Sequence, residues 1–171
     1  VLKQVERPRV KLVALDTMNF WIQNKLKDLK AVIEHVDLIV LNDGETRQLT
    51  GENNLIKAAR KIRNMGPDII VVKKGEHGVL LFFRDQFFAL PAFPLESVFD
   101  PTGAGDTFAG GMMGYIAKQK SVTFDTLKKA VAYGSVMASF AVEKFSLDRL
   151  RELKSSVIEE RLAEFRALTK F

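Results

Sequence analysis

The run Asp100-Pro101-Thr102-Gly103-Ala104-Gly105-Asp106-Thr107-Phe108-Ala109-Gly110-Gly111 joins a turn of small residues to the start of a predicted helix. Pro101 stiffens the approach to the turn. The small residues Gly103, Ala104 and Gly105 leave the backbone N–H groups around them uncovered by side chains. Uncovered donors at the positive end of a helix dipole form an anion-binding site. The run therefore predicts a site for a phosphate-like anion.

Asp106 lies in the same turn, where a carboxylate beside an anion site is electrostatically unfavourable. Its presence is explained if it accepts a proton from an attacking hydroxyl while the amides hold a transferring phosphoryl group. The alternative is structural: Thr102 or Asp106 caps the helix, and the glycines allow close packing. Other glycine motifs do not fit, because Phe108 replaces the third glycine of a dinucleotide fingerprint and Met112 follows Gly110-Gly111 where a P-loop needs Lys.

Short apolar runs alternate with longer amphipathic segments along the chain. Strands are predicted over Val10–Leu15, Leu38–Leu41, Ile69–Val72 and Val79–Phe83, and helices over Trp21–His35, Glu45–Leu49, a segment ending at Arg63, 103–118, 124–143 and the C-terminal residues. Strands that alternate with helices indicate an α/β fold with a mainly parallel sheet. Helices on both faces explain why these strands are apolar throughout.

Polar side chains follow three of the predicted strands directly. Asp16, Asn42 and Lys73 each come just after an apolar run. In parallel sheets ligands bind beyond the carboxyl ends of the strands. These three residues should therefore lie at one edge of the sheet, and chemistry is expected there.

Composition narrows the class of protein. The 171 residues are 47% hydrophobic and 27% charged, which is typical of a globular domain. There are no cysteines, which excludes disulfides and thiol chemistry and suits a reducing compartment. No apolar run reaches a membrane span, so a cytoplasmic location is expected. The net charge of +5 is spread over many segments, which favours a solvated surface over a nucleic-acid site.

The run from Asp100 to Gly111 resembles the second signature of the ribokinase or PfkB family. The resemblance implies a three-layer α/β/α fold with a mainly parallel sheet, and transfer of the γ-phosphoryl group of ATP, with Mg²⁺, to a sugar or nucleoside hydroxyl. It makes Asp106 the general base, and Gly103, Ala104 and Gly105 the anion hole. Residues 1–171 would be the C-terminal nucleotide-binding and catalytic portion, lacking the N-terminal part and its β lid.

Further positions follow from the resemblance. Asn42-Asp43-Gly44-Glu45 is similar to the family's Asn-x-x-Glu motif, in which Asn42 and Glu45 position Mg²⁺ and phosphates largely through water. Its alternative is a turn followed by a helix-capping Glu45. The segment from Lys73 to Gly78 resembles the family's nucleotide loop, with Lys73, Gly75 and Gly78 as contacts; its alternative is a glycine-rich hairpin.

Other correspondences concern the nucleotide, the acceptor and a monovalent cation. Thr102, Gly134 and Ser135 are expected near the nucleotide, although tight helix packing explains Gly134 and its small neighbours equally well. Asp16 and Asn19 are expected near the acceptor. Asp100 matches a ligand of a monovalent cation such as K⁺, but the later turn at 143–146 lacks the family's glycine.

Two functions from different classes follow. The first is an ATP-dependent kinase of a sugar or nucleoside, with a homodimer as one expected assembly. The second is a nucleotide-binding fragment without catalysis. Retained Asp106 and Gly103–Gly105 speak against a paralogue that keeps the fold alone.

Overall fold

The computed structural model describes residues 1–5 and 10–170. The chain forms two compact units. The first comprises the described residues of Val1–Gly75 and Leu80–Phe88, and the second those of Glu76–Val79 and Ala89–Phe171.

The first unit is built on three parallel strands. They are β1 (Ala14–Asp16), β2 (Leu38–Asn42) and β3 (Ile69–Lys73). Leu15 lies opposite Ile39, and Leu41 opposite Val72. The helices are α1 (Leu2–Val5), α2 (Asn19–Asn24), α3 (Leu26–Ile33), α4 (Asp43–Thr50) and α5 (Leu55–Arg63). Side chains from α2 to α5 and from the strands form one apolar core, which includes Ile33, Ile39, Ile62 and Ile70.

Two further strands, β4 (Val79–Phe83) and β5 (Gln86–Leu90), extend the sheet to five strands in the order β1-β2-β3-β4-β5. A 3-10 turn at Gly75–His77 precedes β4. The connections into and out of β4 are short, and parallel neighbours need a crossover of about a dozen residues or more. These last two strands therefore run antiparallel to their neighbours, whereas the first three are parallel as the sequence predicted.

The second unit contains four helices among its described residues. They are α6 (Ala104–Ala117), α7 (Phe124–Ala141), α8 (Asp148–Arg151) and α9 (Ser155–Leu168). Phe108, Met112 and Ile116 recur every four residues on α6 and are buried, which is the spacing of one helix face. The helix α6 packs along α7, so the turn that begins α6 is carried by a well-packed helix pair.

Two predicted elements differ from the structure in where they begin or end. The helix predicted over Trp21–His35 breaks at Lys25, where φ is −140°. The Asn24 side chain donates to the Phe20 carbonyl oxygen at 2.9 Å, and such side-chain bonds compete with helix continuation. The strand predicted from Val10 starts only at Ala14, because the N–H of Val13 donates to Asp37 Oδ2 at 2.7 Å instead.

Candidate active site

The carboxyl ends of the three parallel strands meet at one edge of the sheet, as predicted. Asp16 ends β1, Asn42 ends β2 and Lys73 ends β3. Asn42 lies opposite Lys73 in the register, and Lys73 Nζ lies 3.2 Å from Asp16 Oδ2. This ion pair is half-buried, since 18% of the Lys73 side chain and 33% of the Asp16 side chain are exposed. The edge therefore carries a fixed cation with one carboxylate partner.

Asn42 and Glu45 form a reciprocal capping box at the start of α4. The Glu45 N–H donates to Asn42 Oδ1 at 2.7 Å, and the Asn42 N–H donates to Glu45 Oε2 at 2.8 Å. The predicted alternative, a capping Glu45, is thus a correct structural description of this motif. It leaves Glu45 Oε1 without a hydrogen-bond donor among residues 1–5 and 10–170.

Glu45 is unusual because it is a buried carboxylate. Only 6% of the residue is exposed. Burial raises the pKa of Glu45, against the lowering effects of the Asn42 N–H and the Lys73 charge; Asp16 adds to the rise. Structural capping needs no burial, so a buried carboxyl group at the strand edge is a functional candidate.

The loop after β1 contains a residue that the sequence did not single out. The hydroxyl oxygen of Thr17 is buried and has no hydrogen-bond partner in the described part of the chain. The Thr17 N–H donates to Asp16 Oδ1 at 2.8 Å, so the backbone of Thr17 contacts the carboxylate that pairs with Lys73. Buried unpaired polar atoms are rare and mark a bound water or ligand group. Asn19, the other predicted acceptor contact, begins α2.

Gly75 and Gly78 both have left-handed backbone conformations, with φ of 57° and 87°. Gly75 is exposed, and a Cβ atom there would meet nothing within 4 Å. At Gly78 a Cβ would lie 2.1 Å from the carbonyl oxygen of Leu90, so no side chain fits. The fold therefore requires glycine at position 78. At Gly75 no side chain covers the backbone, which is exposed.

The turn before α6 leaves several backbone donors open. Gly103 is the N-cap residue with φ of 79°, and no side chain caps the helix. In the described part of the chain, the N–H groups of Gly103, Gly105 and Asp106 donate to no acceptor. Ala104 differs from the prediction of an uncovered amide, because its N–H donates to the Pro101 carbonyl oxygen at 3.2 Å. The open donors thus include Asp106, which the sequence did not reveal.

Asp106 lies in the first turn of α6, and its residue is exposed. Within residues 1–5 and 10–170 its carboxylate has neither an ion pair nor a hydrogen bond. The alternative in which Thr102 or Asp106 caps the helix is wrong, since the N-cap is Gly103 without a side-chain bond. A free carboxylate beside open amides has the arrangement expected of a base at an anion site.

Asp100 lies before the turn and holds it through its carboxylate. Its Oδ1 accepts the Thr102 N–H at 2.9 Å. The Thr102 N–H, the Thr102 hydroxyl and the Ser146 N–H lower the pKa of Asp100. The groups around this carboxylate are thus N–H and O–H donors, which compete with a monovalent cation for the same oxygens.

The predicted nucleotide contacts on α7 have a clear packing role. A Cβ on Gly134 would lie 2.7 Å from the Phe108 carbonyl oxygen, so Gly134 allows α6 and α7 to approach closely. Ser135 is half-buried on the same helix. Contact of either residue with a nucleotide stays a prediction.

Two kinds of feature are absent from the described residues. No group of three or more His, Cys, Asp and Glu side chains converges there into a metal-binding arrangement. No helix among residues 1–5 and 10–170 combines the length and apolarity needed to cross a membrane. The predicted cytoplasmic location stays a prediction.

The sequence model of the pfkB family carbohydrate kinases matches residues 3–152, and the chain belongs to this family. A cytidine kinase of Thermococcus kodakarensis is 36% identical over 118 residues, which cover 66% of this chain and 42% of the relative. A nucleoside kinase of Methanocaldococcus jannaschii is 29% identical over 132 residues, which cover 77% of this chain and 41% of the relative. The chain thus spans about two fifths of the length of these relatives.

The solved structures confirm the fold. The aminoimidazole riboside kinase of Salmonella enterica, complexed with aminoimidazole riboside and an ATP analogue, matches with a TM-score of 0.81 at 22% identity. The match covers 95% of this chain and 56% of that chain. The ribokinase-like α/β fold implied by the Asp100–Gly111 run is therefore correct.

Proposed function

We propose that the protein is the catalytic part of an ATP-dependent phosphotransferase that acts on a hydroxyl group of a sugar or nucleoside. One observation carries the proposal. Asp106 presents a carboxylate with no partner in the described part of the chain, in the same helical turn as the open amides of Gly103 and Gly105. Family membership and the named nucleoside kinases among its relatives support the substrate class.

The chemistry follows from these groups. The acceptor oxygen forms a bond to the γ-phosphorus while the bond from that phosphorus to the bridging oxygen breaks, releasing ADP. Asp106 accepts the proton of the acceptor hydroxyl. The amides of Gly103, Gly105 and Asp106 donate to the phosphoryl oxygens, whose charge they stabilise best in the transition state. The dipole of the 14-residue helix α6 acts in the same direction.

Glu45 and Asn42 are proposed to position a magnesium ion, largely through water. Their donor set fits, because Mg²⁺ keeps several waters and takes one or two carboxylates from the protein. Glu45 supplies a buried carboxyl group whose Oε1 is without a hydrogen-bond donor among residues 1–5 and 10–170. When bound, the ion would neutralise charge on the phosphate oxygens.

The remaining contacts are proposals of the same kind. In the first unit, Lys73 and Gly75 are proposed as nucleotide contacts. In the second unit, Gly78, Thr102, Gly134 and Ser135 are proposed as nucleotide contacts. Asp16 and Asn19 are proposed to face the acceptor, with the Thr17 hydroxyl as an added polar group beside them. A potassium requirement at Asp100 and a homodimer stay predictions.

Replacement of Asp106 by Asn tests the proposal. The change removes the base while keeping size and polarity, so kcat should fall by about 10²–10⁴-fold. ATP affinity should stay within about threefold, because the amides are unchanged. ADP release is measured with Mg-ATP and a panel of cytidine, other nucleosides, ribose and fructose.

Asp125→Asn is the matched control, since Asp125 also lies exposed in the first turn of a helix. It should retain the activity of the original chain. Wild-type turnover in Asp106→Asn would refute the catalytic assignment.

A second candidate function is nucleotide binding without phosphoryl transfer. It is favoured by one observation, that the chain spans 41–42% of its curated relatives. Acceptor-dependent ADP release by the 171-residue chain alone would exclude it. ATP binding without such release, by calorimetry and the same panel, would support it.

A further inference from the structure

Glu143 follows α7 and is held between two arginine side chains. Arg149 Nε donates to Glu143 Oε2 at 2.7 Å, and Arg161 Nη2 lies 2.6 Å from Glu143 Oε1. The exposed fractions of the three side chains are 24% for Glu143, 25% for Arg149 and 18% for Arg161. Because Arg149 belongs to α8 and Arg161 to α9, one carboxylate ties both helices to the end of α7. We call these three residues the Glu143 clamp.

The clamp is supported by further contacts on α7. The Arg161 guanidinium carbon lies 3.6 Å from the centre of the Phe140 ring, and that of Arg149 lies 5.2 Å from it. Arg161 Nη1 also donates to the hydroxyl oxygen of buried Ser139 at 3.1 Å. Charged groups with so little exposure are tolerated only when their pairing is maintained. The end of α7 is therefore held by charged, hydrogen-bonded and aromatic contacts together.

Residues on both sides of Glu143 hold the beginning of the anion-binding turn. The Val142 carbonyl oxygen accepts the N–H of Phe99 at 2.8 Å and that of Asp100 at 3.3 Å. Ser146 has a left-handed conformation with φ of 53°, and its N–H group helps to lower the pKa of Asp100. Ser146 thus has a backbone conformation that favours glycine.

The contacts continue into the turn itself. Asp100 Oδ1 accepts the Thr102 N–H, and Gly103 follows as the N-cap of α6. A chain of direct contacts therefore runs from Glu143, through Val142 and Asp100, to the residues that present the open amides. Displacement at the clamp would be passed to the amides as a change in backbone position.

We propose that Glu143 is a positioning residue, which holds the amides of Gly103 and Gly105 in place for the transferring phosphoryl group. Arg149 and Arg161 act with it, and none of the three touches the reacting atoms in this proposal. The effect of Glu143 on phosphoryl transfer rests on the proposed function. Its effect on the geometry of the turn before α6 does not, so the two effects can be tested separately.

Glu143→Gln tests the geometry without a nucleotide. The change keeps the shape of the side chain but removes the charge that both arginines share. Hydrogen–deuterium exchange is followed by mass spectrometry for peptides covering 99–107, with peptides of the first unit as internal reference. Exchange at 99–107 should become at least about tenfold faster in Glu143→Gln. The matched control is Glu152→Gln, which breaks the neighbouring Lys144–Glu152 pair at 2.7 Å.

Arg149→Met is the second variant if Glu143→Gln does not fold, because it leaves the Arg161–Glu143 contact in place. Faster exchange confined to 99–107 and the clamp helices supports the proposal. Unchanged exchange at 99–107 in a folded variant overturns it, as does an equal change in Glu152→Gln.

Kinetics separate positioning from a merely structural role. In the active kinase, Glu143→Gln should lower kcat about tenfold or more, while KM for ATP changes less than about threefold. Glu143→Asp, which retains the charge, should restore part of kcat. A rise in KM with kcat unchanged overturns the positioning role. Turnover retained in Asp106→Asn refutes the proposed function, but leaves the exchange result on the clamp intact.

Discussion

Burial of the Glu45 carboxyl group makes the free energy of unfolding depend on pH. Its raised pKa means that the folded chain retains the Glu45 proton above 4.5, the ordinary value, where the unfolded chain has released it. Folding stability contributed by Glu45 is therefore greatest below that value and is lost as pH rises through the window above it. Glu45→Gln keeps the capping box but does not titrate. The free energy of unfolding of wild type minus that of Glu45→Gln should fall as pH rises from 4.5 and then level off.

Urea denaturation at a series of pH values measures this difference. Glu52→Gln is an internal control of opposite sign, because the Asn54 N–H, above all, lowers the pKa of Glu52. The stability that Glu52 contributes should be lost as pH falls below 4.5. If the difference in unfolding free energy between wild type and Glu45→Gln stays constant across the pH range, burial does not destabilise the ionised form of Glu45.

Individual residues of the site were predictable to different degrees. The spacing Asn42-x-x-Glu45 is enough to predict a capping box, and the open amide at Gly103 follows from a run of small residues before a helix. The Ala104 N–H bond to Pro101 depends on the detailed turn geometry, which composition does not specify. The buried hydroxyl of Thr17 and the burial of Glu45 depend on distant segments that cover them.

At the scale of helices, the approach of α6 to α7 depends on glycines in the contact. A Cβ on Gly134 would lie 2.7 Å from the Phe108 carbonyl oxygen and 3.2 Å from Met112 Cβ. Gly134→Ala should therefore lower the free energy of unfolding by about 1–3 kcal/mol, since one helix must move. Gly110→Ala is the matched control on α6, where a Cβ meets nothing within 4 Å.

Gly110→Ala should raise stability by up to about 1 kcal/mol through helix propensity. Urea denaturation measures the free energy of unfolding of both variants, and the two changes should have opposite signs. Equal stability of both variants would mean that α6 and α7 can separate at no cost.

The elements themselves were largely predictable from periodicity. The four-residue recurrence of Phe108, Met112 and Ile116 predicted a buried helical face, and apolar runs at Leu38–Leu41 and Ile69–Val72 predicted strands of a parallel sheet. Breaks were not predictable from apolar spacing, since the break at Lys25 falls inside a run of apolar residues at helical spacing and lies beside a side-chain hydrogen bond from Asn24. The Glu143 clamp joins a residue just after α7 to residues on α8 and α9, and local sequence patterns do not predict such contacts.

For the whole molecule, the net charge of +5 gives an expectation about anionic ligands. A positive chain attracts ATP more strongly than AMP, because ATP carries more negative charge. Added salt screens this attraction, as the Debye length shortens from about 10 Å at 0.1 M to about 3 Å at 1 M. ATP affinity should therefore fall several-fold over that range when Mg²⁺ is left out, and AMP affinity should fall less.

Isothermal titration calorimetry of both nucleotides measures this difference. Parallel series in sodium chloride and tetramethylammonium chloride distinguish general screening from the binding of one particular cation, because screening depends on ionic strength alone. Equal losses for ATP and AMP would mean that the Lys and Arg residues only solvate the surface. A larger loss for ATP in both salts would mean that the charge of the whole chain, together with the local cation Lys73 at the sheet edge, contributes to nucleotide capture.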